Sequence, residues 1–93
     1  MRLRLDPDHL FETAARLSAA ADRLEETDHQ LSVSWNALAD SWIGQSKVEV
    51  AEMYLASRLA LHARIETLDA LARWLSQRAN LFLDADEQAG AAL

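Results

Sequence analysis

Leucine recurs every seven residues along the first half of the chain, at Leu10, Leu17, Leu24, Leu31 and Leu38. Four residues after each stands a second set: Ala14, Ala21, Asp28, Trp35 and Trp42. All of these but Asp28 are apolar. A 4-3 spacing held this long predicts one extended helix packed along a seam, with Asp28 as a solvated or partnered interruption. The second half repeats the pattern. Leu61, Ile65, Leu68, Ala72, Leu75, Ala79 and Phe82 form a second seam, Ala51 and Tyr54 extend it backwards, and Arg58 falls off pattern.

Local signals frame the two helices. Asp6 suits an N-cap and Pro7 the first helical position. Leu5 and Leu10 have the spacing of a hydrophobic staple, and Glu12 and Arg16 that of an i,i+4 ion pair. Gly44 suits the left-handed position that follows a helix C-terminus. Ser46 and Glu49 then have the spacing of a capping box, so a second helix starts at once. Gly90 is its natural stop. The expected bounds are helix 1 over about 7–42, a turn over about 43–46 and helix 2 over about 47–89, with a short tail, all in one domain. A link this short folds the helices into an antiparallel hairpin.

The apolar surface is wider than a hairpin needs. Leu55, Leu59, Leu71, Trp74 and Leu81 lie outside the main seam of helix 2, and Phe11 and Val33 beside that of helix 1. Such width fits helices that each touch two neighbours. The fold expected is therefore all-α: a helical hairpin that dimerises into a four-helix bundle. A second copy or a homologous hairpin would serve equally as the partner. Trp35 and Trp74 read as packing anchors.

Composition sharpens this picture. At 93 residues the chain is short for a self-sufficient core, and chains of this size gain from disulfides, metals or oligomerisation. It contains no cysteine, and His9, His29 and His62 are scattered, so no cofactor or metal is expected. Two Gly and one Pro in a chain that is 51% hydrophobic is a composition of long helices. A formal net charge of -6 argues against nucleic acid and anionic membranes as partners. No apolar run approaches the roughly 20 residues of a membrane span. Arg2 and Arg4 are followed by Asp6-Pro7-Asp8 and not by an apolar core, so no cleaved signal peptide is expected and synthesis is cytoplasmic. A two-helix hairpin offers no concave site with converging polar groups, so no enzymatic activity is expected.

The triplet Trp42-Ile43-Gly44 sits near mid-chain between two long helices in a cysteine-free sequence. In this the chain resembles the WXG family of small, ESAT-like helical hairpins associated with type VII secretion. The C-terminus adds a second likeness. Phe82 and Asp86 are similar to the family's export signal, an aromatic residue and an acid four positions on, with phenylalanine where tyrosine is usual. Ala89 and Leu93 fall at the apolar positions of its longer form. The resemblance implies a secreted substrate, exported as a folded dimer and recognised by the secretion ATPase. It leaves open a partner or chaperone without its own signal, or an intracellular coiled-coil adaptor. In an antiparallel dimer, Trp42 and Gly44 of one protomer would approach Phe82 and Asp86 of the other.

Overall fold

A computed structural model of the protein describes residues 6–91, apart from the side chains of Ala89 and Ala91. Among these residues there are two helices and no strand: α1, Pro7–Ala39, and α2, Gln45–Ala91. They pack against each other as a hairpin.

The start of α1 follows from three residues. The Asp6 Oδ1 accepts a hydrogen bond from the Asp8 backbone N–H at 3.0 Å, and the Asp6 carbonyl accepts one from Leu10 N–H at 3.1 Å. Proline at the next position loses nothing, because its missing N–H would have had no intrahelical partner. The expected staple cannot be placed, since Leu5 lies outside the described residues. Glu12 and Arg16 form their pair at 2.9 Å, both well exposed, which contributes a few tenths of a kcal/mol.

The helix ends differ from the sequence reading. Helix α1 stops at Ala39, not Trp42, because its last carbonyls are closed by tighter bonds. Ser41 N–H donates to the Leu38 carbonyl at 3.1 Å and Trp42 N–H to that of Ala39 at 3.4 Å, while Ser41 Oγ also donates to Leu38 at 3.0 Å. Such i→i+3 closure winds up a helix end and releases the chain. Gly44 is thus not the cap of α1. It precedes α2 directly, with φ +114°, and its carbonyl accepts from Lys47 N–H at 3.1 Å. Ser46 lies inside the first turn of α2 and so is not an N-cap; glycine fills that place. Gly90 lies within α2 and does not stop it.

The chain forms two compact units. Among the described residues, one joins 6–20 with 68–91; the other is Ala21–Thr67. In the first, Ala14, Ala72 and Ala79 are buried, flanked by half-buried Leu10, Leu17, Leu68 and Leu75. In the second, Ala21 and Ile65 are buried, with Leu24, Trp35, Tyr54 and Leu61 half-buried. Four of these five buried residues are alanines, whose small side chains let helix backbones approach closely.

Leu31 and Leu38, expected in the seam, are instead 42% and 49% exposed on the hairpin. A strict seven-residue repeat drifts around a 3.6-residue helix by about 20° per heptad. Leu10, Leu17 and Leu24 start half-buried, and by Leu31 the row has turned away from the buried side.

Candidate recognition surfaces

The second unit contains the one strongly polar contact between the helices among its described residues. Asp28 on α1 has a side chain only 15% exposed, and Arg58 on α2 grips it with both ends of its fork. Arg58 Nε donates to Asp28 Oδ1 at 2.8 Å and Nη2 to Oδ2 at 2.9 Å. His62 Nε2 stands 3.0 Å from the same Oδ2. The hydrogen bonds from Arg58, then the one with His62, hold the Asp28 carboxyl well below the usual carboxylate range, against the opposing effect of desolvation. The same contact holds Arg58 more firmly protonated. The guanidinium also lies 5.8 Å from the centre of the Tyr54 ring, and Tyr54 stacks on Trp35 at 4.8 Å and 12°.

The polar interruption of one seam and the off-pattern arginine of the other are thus a single bidentate pair. The sequence held the signal: Asp28 and Arg58 are equally far from Ile43, on either side of it. A charged pair between two apolar seams tolerates only one register, since a slip would strand both partners.

The turn places its three residues differently. Trp42 is half-buried, whereas Ile43 is 91% exposed, an unusual position for a large aliphatic side chain. Gly44 supplies the positive φ that carries the chain into α2. A Cβ there would meet nothing within 4 Å, so glycine is required by backbone conformation and not by crowding.

The C-terminal stretch lies in the other unit. Phe82 is 37% exposed and Asp86 is exposed, one helical turn apart on α2 and hence on one face. Ala89 belongs to α2, but its side chain is not described, and Leu93 lies outside the described residues. Ala79 is the last buried position; every side chain from Asn80 to Gln88 is exposed, including Leu81, Phe82 and Leu83. Upstream on α2, Trp74 is half exposed and carries the Arg78 guanidinium over its ring at 4.9 Å. Leu10, Trp74, Arg78 and Phe82 together line an open groove. Composition and periodicity alone did not reveal this groove, which joins the beginning of α1 to the late part of α2.

Glu26 and His29 have the Glu-x-x-His spacing used by helix-borne metal sites. Both are exposed, and among the described residues no group of three or more His, Cys, Asp or Glu is placed to hold a metal. No helix among these residues is long and apolar enough to cross a membrane.

No curated protein and no solved structure matches the chain. The family WXG100, described as proteins of 100 residues with WXG, matches residues 2–87, a span that takes in the turn triplet as well as Phe82 and Asp86. That family consists of small, non-enzymatic, ESAT-like helical proteins secreted by type VII systems. With a match over nearly all of its length, and a two-helix hairpin whose turn carries Trp42-Ile43-Gly44, the chain belongs to the WXG100 family.

Proposed function

We propose that this chain is a type VII secretion substrate, exported as a folded dimer, whose C-terminal end is read by the secretion ATPase. Phe82, Asp86, Ala89 and Leu93 are the residues of that signal. The observation that carries the reading is the state of α2 beyond Ala79. The helix continues there with no buried side chain among the described residues, while presenting Leu81, Phe82 and Leu83. It also carries three carboxylates over its last two turns, Asp84, Asp86 and Glu87, with no basic residue in the last turn to balance them. An acidic helical segment with exposed apolar side chains and no buried one fits the role of a helical ligand for a groove on another protein.

The small size of the core supports the dimer reading. The buried apolar residues among those described are four alanines and Ile65, while Leu31, Leu38, Leu71, Trp74 and Leu81 are exposed. So little buried surface is a weak basis for stability in so short a chain, and a second hairpin laid on the exposed leucines would enlarge the core. A second copy of the chain or a homologous hairpin meets this need.

The test compares export of the wild type with Phe82→Ala and Asp86→Ala in the native host, with circular dichroism and sedimentation of each purified protein as folding controls. Both variants should stay in the cell pellet as folded dimers. Normal release of Asp86→Ala would sink the signal and make the chain the passenger of a signal-bearing partner.

A further inference from the structure

We propose that a basic amphipathic helix of another protein docks along the stripe Val48, Leu55 and Leu59 of α2, with a lysine or arginine of that helix held by Glu25 and Glu66 at the end of the stripe. The site lies wholly within Ala21–Thr67 and uses none of the residues assigned above to the dimer or the export signal.

The stripe is a second apolar side of α2. At about 100° per residue, Val48, Leu55 and Leu59 fall within roughly 40° of one another, and each is more than half exposed. Met53, also well exposed, stands roughly 160° from Leu55 round the same helix. Between the two runs the row Tyr54, Arg58, Leu61 and Ile65, which is half-buried or buried against α1. A second hairpin laid on one side of α2 leaves the other in water, so a dimer does not account for both.

The charges around the stripe select the partner. Glu52 lies one turn from both Val48 and Leu55, and Glu66 continues the row two turns beyond Leu59. The basic residues of α2 in this stretch are elsewhere: Lys47 and Arg58 are half-buried, and Arg64 is roughly 140° round the helix from Leu59. Past Leu59 the stripe reaches an open pocket between the helices, lined by Glu25, Asp28, His62, Ile65 and Glu66. Asp28 is taken up by Arg58 and His62, whereas Glu25, Glu52 and Glu66 form no ion pair among the described residues. An apolar stripe edged by unpaired carboxylates is complementary to a helix with leucine-like side chains on one face and lysine or arginine beside them, the helix-in-groove mode of recognition.

The same charges disfavour two other occupants. A second copy laid stripe to stripe would bring Glu52 and Glu66 against their own kind, and like charges brought together across an interface weaken it. An anionic bilayer would meet carboxylates where a membrane-surface helix carries lysine and arginine. Length agrees as well: from Val48 to Glu66 the helix runs about 27 Å, which a partner helix of about 18 residues spans.

The test uses the full-length protein and two synthetic peptides of about 18 residues, an amphipathic helix of leucine and lysine and its leucine and glutamate counterpart. Fluorescence anisotropy reads the affinity, and amide chemical-shift mapping of the isotope-labelled protein reads the site. The lysine peptide should bind, with shifts centred on α2 between Val48 and Glu66 and on α1 around Glu25, and the glutamate peptide should not bind. The paired change Leu55→Ser and Leu59→Ser should weaken binding by about tenfold or more. The paired change Glu52→Gln and Glu66→Gln should weaken it and flatten its salt dependence, whereas Met53→Ser should leave it unchanged. Circular dichroism and sedimentation of the leucine and glutamate variants should match the wild type, because these side chains are exposed. Absence of binding, shifts centred elsewhere, or an affinity that survives either paired change overturns the docking and leaves the dimer reading in place. Loss of the dimer in the leucine variant makes the stripe a contact between copies, which also overturns it.

Discussion

Ala21 has no exposed surface in the hairpin, and replacing it by leucine sets two effects against each other. Three added carbons would gain about 2.4 kcal/mol if they found apolar space, at about 0.8 kcal/mol per buried CH₂. Helix propensity barely changes, since alanine and leucine both rank high. Yet a residue at 0% exposure, in a core otherwise made mainly of alanines, has its space already filled by the facing helix. The added carbons must push the helices apart, and overpacking of this kind typically costs about 1–3 kcal/mol net. For a domain of this length, that lowers the melting temperature by about 4–8 °C per kcal/mol. The assay is thermal unfolding followed by circular dichroism at one fixed protein concentration, because association makes the midpoint concentration-dependent. Ala63→Leu, at an exposed position of α2, is the control and should shift stability by no more than about 0.5 kcal/mol. If Ala21→Leu melts at or above the wild type, the helices are not in the close, alanine-mediated contact described here.

Other consequences follow from single residues. Gly44→Ala should destabilise the protein by about 1 kcal/mol through backbone strain alone, since no atom lies within 4 Å of the new Cβ. Gly90→Ala, inside α2 with equally open space, should have the opposite sign and stabilise by up to about 1 kcal/mol; denaturant titration of the pair reads both. Replacing Asp28 by Asn should destabilise the hairpin at neutral pH and leave the Arg58 charge without its partner. Because the folded state holds the Asp28 carboxyl below its ordinary value of 3.8, its contribution is complete above that value and declines as the pH falls through the depressed folded one. The stability gap between wild type and Asp28→Asn should therefore be constant above about pH 5 and narrow below about pH 4. A gap that widens on acidification would contradict the geometry at Asp28.

The hairpin was legible in the sequence because long periodic patterns are strong signals. Two 4-3 seams, an Asp-Pro helix start and a single mid-chain glycine sufficed for two helices and a short turn. Features that depend on the partner helix were not legible. Asp28 and Arg58 looked like two separate faults, since neither seam alone reveals what faces it across the hairpin. The exposure of Leu31 and Leu38 comes from slow drift of a seven-residue repeat, which a list of spacings hides. The end of α1 at Ala39 depends on carbonyl bonds to Ser41 and Trp42 that no residue type announces. The groove joining Leu10 to Phe82 arises only once the two helices are packed. Family membership, by contrast, was readable from the turn triplet and is matched over residues 2–87.

The most direct measurement of the central claim is the partition of the wild-type protein between culture medium and cell pellet, in the native host and in a strain lacking the secretion ATPase. The account predicts protein in the medium of the first strain and retention as a folded dimer in the second. Protein confined to the pellet of both strains, or released equally by both, would contradict it.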